Sequence, residues 1–196
     1  MKSFKDKVSE SVSFIQRHTH TFPKIGLLTG TGLGESLAFF ETVKTFCYHE
    51  IPHFPISTVE SHPGRLLFGN AQGLNIIAMQ GRFHLYEGYT PLEVTFPVRV
   101  MQELGVKILI LSNAAGGLNP KFQAGDIMLI TDHINLTGSN PLIGPNEKTW
   151  GIRFPDMGQA YNNNLLKISE SIGREIGIRL GKGVYVGLKG PSLETP

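Results

Sequence analysis

With one cysteine in 196 residues, Cys47, the chain can form no internal disulfide framework and no multi-cysteine zinc site. It also lacks any apolar run near the ~18 residues that cross a bilayer. Its first ten residues, MKSFKDKVSE, have none of the hydrophobic core of a secretory signal. The expectation is a cytoplasmic protein with no membrane partner. Neither sign of charge prevails, since 18 Lys and Arg stand against 16 Asp and Glu. A polybasic field for nucleic acid is therefore missing, and a small molecule is the default ligand. What the chain does have is 40% hydrophobic residues, enough for a sizeable core, and a length that suits one α/β domain spanning 1–196.

Periodicity supplies the elements. Phe4, Val8, Val12 and Ile15 recur at helical spacing and predict an N-terminal amphipathic helix. Residues 24–29 (KIGLLT) read as a short buried strand that runs into a glycine turn at 30–34 (GTGLG), with a helix start expected near Glu35. That order of strand, glycine turn and helix favours anions, because helix N-terminal amides and the macrodipole point at the turn. Residues 65–68 and 74–79 read as paired strands joined through Gly69, Asn70 and Gly73. Thr90, Pro91 and Glu93 have the chemistry of a helix start, and that helix should run to Leu104, stop at Gly105 and kink at Pro97. Further strands are expected at 106–111, 126–131 and 183–188, and a helix at 165–176 closed by Gly177. Strands separated by helices imply a mixed α/β sheet, largely parallel, that binds ligands beyond the carboxyl ends of its strands.

Three motif matches fail on physical grounds. Gly30, Gly32 and Gly34 resemble a dinucleotide fingerprint, but the third glycine comes one residue early and Glu35 takes its place. His49, Glu50 and His53 spell H-E-x-x-H, yet Pro52 between the histidines breaks the helix that must align them. The sequon at Asn135, Leu136 and Thr137 has no meaning in a cytoplasmic protein.

The most informative stretch is 80–89, QGRFHLYEGY, which sets Arg82, His84, Tyr86 and Glu87 between glycines with no apolar run to cover them. As a strand it would direct Arg82, His84 and Tyr86 to one face, either a solvated polar edge or a cradle for an anion with a hydroxylated neighbour. Other polar turns favour the cradle. The 30–34 turn offers amides and the Thr31 hydroxyl, residues 61–65 offer His62, and the turn after Leu111 offers amides around Ala114. Such groups hold phosphate in many proteins. In residues 190–196 (GPSLETP), Glu194 either accepts hydrogen bonds from a ligand N–H or opens a following helix.

The ordered set GTGLG (30–34), HPGRLLFG (62–69), MQGRFHLYEGY (79–89), FPVRV (96–100), SNAAGGLNPKF (112–122), GDIMLITDHINL (125–136), RFPDM (153–157) and GPSLET (190–195) resembles the trimeric purine nucleoside phosphorylases over nearly the whole chain. The resemblance implies phosphorolysis of purine nucleosides to free base and ribose 1-phosphate, in a homotrimer without metal or organic cofactor, with inorganic phosphate as co-substrate. Carried over by motif position, Thr31, His62, Arg82, His84 and the Ala114 amide would bind phosphate, and Glu87 would support that network. Tyr86 would face the ribose, and Phe154 would reach a neighbouring subunit's ribose pocket. Glu194 would hydrogen-bond the purine beside Leu193, with His84, Glu87 and Glu194 as the catalytic set.

Two positions depart from the family pattern. Thr31 stands where serine is common and keeps the hydroxyl, whereas Leu193 replaces an aromatic residue and offers the base only apolar contact. The family continues past the position of Pro196 with an Asn at the purine, a His near the ribose 5′-hydroxyl and further phosphate contacts. The resemblance thus implies a phosphorylase domain incomplete at its C-terminal end. The alternatives are a methylthioadenosine phosphorylase of the same superfamily, or a fragment that binds without turning over.

Overall fold

The computed structural model describes residues 2–30, 37, 39–56 and 63–190. Within these, the chain forms two compact units, 1–114 and 115–196.

The first unit begins with helix α1 (Phe4–His18), started by a capping box in which Ser3 accepts from the Asp6 amide and Asp6 from the Ser3 amide. Strand β1 (Ile25–Thr29) follows, then β2 (Glu41–Cys47), β3 (Arg65–Ala71), β4 (Leu74–Gln80), helix α2 (Pro91–Glu103) and β5 (Ile108–Leu111). The sheet order is β2-β3-β4-β1-β5. β1 is parallel to both β4 and β5, while β2, β3 and β4 form an antiparallel meander. Sequence alternation along β3 and β4 buries both faces. One face carries Phe68 and Ile77 under the aromatic contacts Phe14–Phe46 and Phe46–Phe68, and the other packs Leu67 and Ala78 against Leu37 and Phe40. Fully burying side chains of this size contributes about 1.5–3 kcal/mol each, so β3 and β4 anchor the unit.

α2 starts as the sequence predicts: Thr90 accepts from the Glu93 amide at 3.3 Å and Glu93 accepts from the Thr90 amide at 2.7 Å. It ends at Glu103, with Leu104 as its C-cap ahead of Gly105, and runs continuously through the buried Pro97. One expectation needs correction. The β3–β4 turn is made by Gln72 and Gly73, because Gly69 and Asn70 pair within the ladder with Ile76 and Asn75. β2 is a strand that the sequence pattern does not reveal. The expected helix start near Glu35 lies outside the described residues.

The second unit contains β6 (Ile127–Asn135), helix α3 (Asn163–Glu175) and β7 (Leu180–Gly187), with β6 and β7 paired in parallel. Asn162 caps α3 by accepting from the amides of Asn164 and Leu165. Among the described residues, three parallel and two antiparallel pairings give a mixed α/β fold, as the sequence predicts. No helix among the described residues is long and apolar enough to cross a membrane.

Candidate active site

Register places the site. The parallel pairings set Thr29 opposite Gln80 and Leu28 opposite Leu111, so β4, β1 and β5 end side by side at their carboxyl termini. A polar turn leaves each strand there, the position where open α/β sheets bind ligands. The turns touch: a Cβ added to Gly30 would lie 2.9 Å from Asn113 Cα, 2.9 Å from the Ser112 carbonyl oxygen and 3.4 Å from Arg82 Cζ. Only glycine fits at that convergence. The Ser112 amide donates to Leu28 O at 2.9 Å, and the Thr29 hydroxyl donates to Met79 O at 2.9 Å, so the three strand ends are cross-braced.

Residues 81–87 do not form a strand. Gly81 adopts φ 96°, which turns the chain out of β4, and Leu85–Glu87 form a 3-10 turn. Phe83, 3% exposed, plugs the loop into the core against Tyr48 and Tyr89. The polar side chains converge by this route instead of by strand alternation. Arg82 Nε donates to His84 Nε2 at 3.3 Å, and Arg82 Nη1 reaches the Ser112 carbonyl at 3.4 Å. Glu87 Oε1 accepts from both the His84 amide and the His84 ring nitrogen Nδ1, each at 2.8 Å. Because Nε2 is an acceptor toward Arg82, the proton of the neutral ring belongs on Nδ1, and Glu87 holds that tautomer. The Glu87 side chain is 2% exposed and that of His84 15%. Tyr86 stacks on the His84 ring, with centroids 4.6 Å apart and planes 16° from parallel, and is itself exposed.

This arrangement presents a guanidinium, an imidazole whose inner nitrogen is tied to a carboxylate, and a phenol over the ends of three parallel strands. Such a set can bind an oxyanion by charge-assisted hydrogen bonds and place a hydroxylated group beside it. Of the other expected site residues, Ala114 lies exposed in the turn after β5, where its carbonyl accepts from Asn113 Nδ2 at 3.1 Å. Phe154 belongs to the second unit and is 83% exposed, with Arg153 Cζ 5.8 Å from its ring centroid. Arg153 is itself tied to the carbonyls of Leu142 and Gly144 at 2.8 and 2.7 Å. Thr31, His62, Leu193 and Glu194 lie outside the described residues.

The H-E-x-x-H match fails in the structure as it does in the sequence. Glu50 accepts from the Cys47 amide at 2.6 Å, and His53, at φ 65°, pairs with Glu10 at 2.7 Å. No group of three or more metal-ligating side chains occurs among the described residues. Tyr48 and Tyr89 escape sequence reasoning as site supports. Tyr89 lies inside the 80–89 stretch and its hydroxyl donates to Ile56 O at 2.6 Å, but no local pattern marks Tyr48.

The fold and the geometry at the three strand ends define a class: residues 24–196 match the phosphorylase superfamily. Purine nucleoside phosphorylase 1 of Bacillus subtilis is 53% identical over 98% of this chain and 71% of its own. Two solved structures from Schistosoma mansoni superpose on 97% of this chain and 68% of their own, each with a TM-score of 0.91. They are isoform 2 of purine nucleoside phosphorylase with cytosine and ribose-1-phosphate, 40% identical, and purine nucleoside phosphorylase with adenosine, 42% identical. The chain belongs to the purine nucleoside phosphorylase family of that superfamily.

Proposed function

We propose that this protein catalyses phosphorolysis of purine nucleosides. A phosphate oxygen forms a bond to ribose C1′ as the bond from C1′ to the purine nitrogen breaks, and the base leaves with that bonding pair and takes up a proton. The products are free base and ribose 1-phosphate. The observation that carries the reading is the Arg82–His84–Glu87 constellation over three parallel strand ends, in a chain 53% identical to a purine nucleoside phosphorylase. Ribose 1-phosphate and adenosine in the two related structures match the sugar phosphate and the nucleoside that such a site would hold.

In this reading Thr31, His62, Arg82, His84 and the Ala114 amide bind phosphate, and Glu87 fixes the His84 ring. Tyr86 faces the ribose, while Glu194 and Leu193 receive the purine. A transition state with oxocarbenium character needs a positioned dianion on one side and a stabilised leaving base on the other. Neither requirement calls for a metal or organic cofactor. We extend the proposal to a homotrimer in which Phe154 serves a neighbouring ribose site, and to purine salvage in the cytoplasm, a setting that suits a chain with a single cysteine. Phosphate-dependent release of hypoxanthine from inosine tests the reading, with methylthioadenosine as the control substrate. Absence of any phosphate-dependent base release from purified protein would sink it.

A further inference from the structure

The phenol of Tyr48 is 2% exposed and donates to the Gly81 carbonyl at 2.6 Å, while the Tyr48 backbone N–H donates to Gly64 O at 2.8 Å. Its ring sits between Phe54 and Phe83, with centroids 5.7 and 5.1 Å away. One residue thus ties the entrance of β3 to the turn that carries Arg82. The Gly81 carbonyl shares a planar peptide with the Arg82 amide, so fixing that oxygen fixes the direction from which Arg82 leaves the backbone. Gly81, at φ 96°, has no side chain to hold this orientation by itself. The Arg82 side chain, so aimed, reaches His84 at 3.3 Å and the Ser112 carbonyl at 3.4 Å. Burial pushes the phenol far above its ordinary pKa, so its O–H stays a donor throughout the range in which an enzyme works.

We infer that Tyr48 is a positioning residue for the phosphate site, acting through the Gly81 carbonyl on Arg82 and His84. The inference rests on the phosphorolysis proposed above. Y48F keeps the ring between Phe54 and Phe83 and removes only the donor. It should weaken phosphate affinity by about 2- to 13-fold, the range set by the net worth of one hydrogen bond, with the KM for inosine unchanged. V8A, which opens a cavity at a fully buried position of α1 and leaves the Tyr48–Gly81 hydrogen bond in place, serves as the stability control: it should lower Tm without moving phosphate affinity. Phosphate titration by calorimetry and the separate KM values for phosphate and inosine read the result. Wild-type phosphate affinity in Y48F would overturn the inference. So would a parallel loss of both substrates that V8A reproduces, or failure of Y48F to fold, since either makes the hydroxyl a stability element only. A wild-type protein that neither binds phosphate nor releases base would overturn the proposed function, and this inference with it.

Discussion

Arg82, His84 and Glu87 depend on one another. The Glu87 carboxylate, almost wholly buried, sets the imidazole tautomer, and the imidazole in turn receives Arg82 Nε. In the proposed site, removing the guanidinium takes away a charge-assisted phosphate contact and leaves the nucleoside side intact. R82A should lose roughly 1.5–3 kcal/mol of phosphate binding, about 10- to 150-fold in the KM for phosphate, with a much smaller change for inosine. An unaltered phosphate KM would remove Arg82 from the site. Glu194 is a separate case, since its proposed work is at the base. E194Q exchanges one acceptor oxygen for a donor and should lower turnover of 6-oxopurine nucleosides while phosphate affinity persists. Inosine turnover at the parental rate would reduce the glutamate to a residue that opens a helix.

At the scale of elements, the parts legible in the sequence are those whose chemistry is local. The Thr90, Pro91 and Glu93 signature specifies the start of α2 because each group satisfies a backbone donor within one turn. α1 is legible from its helical apolar spacing, and β1, β4 and β5 from short apolar runs bounded by turn residues. β2 is missed because Glu41, Thr42 and Val43 are exposed and its partner β3 lies across the proline-punctuated region. β7 starts at Leu180, earlier than its sequence suggests, since Gly181 and Gly183 lie under Phe122 and Met128, contacts between residues distant in sequence. The 81–87 loop defeats a period-2 reading for a similar reason: the buried Phe83 and the Tyr48 hydrogen bond that hold it come from the tertiary fold. The cap of α2 also yields a prediction. T90A should destabilise the protein by about 1 kcal/mol. Hydrogen bonds from the Thr90 side chain and backbone hold the Glu93 carboxyl below its ordinary pKa. A lowered folded-state pKa gives stability that is present above the unfolded value and lost as pH falls through the folded one. E93Q should accordingly flatten the acid limb of the stability curve, and an unchanged limb in urea melts below pH 5 would exclude the cap as a contributor.

For the whole molecule, the proposed homotrimer assigns Phe154, 83% exposed in the second unit, to a neighbour's ribose pocket. The Arg153 anchors on Leu142 and Gly144 hold the backbone beside it, so the ring projects from a braced loop and forms a defined surface. If three chains share their sites in this way, two different defects can complement each other. F154A subunits keep an intact phosphate site but fail their neighbour, whereas R82A subunits have a damaged phosphate site but still supply Phe154. In mixed assemblies some sites combine an intact Arg82 from one chain with an intact Phe154 from the next. Co-expressed F154A and R82A chains, separated from pure assemblies by two affinity tags, should turn over inosine at low substrate faster than the mean of the two single variants. Light scattering on the same samples should give the mass of three chains. Activity in the mixture no higher than that mean would confine Phe154 to its own chain, and a monomeric mass would remove the shared site altogether.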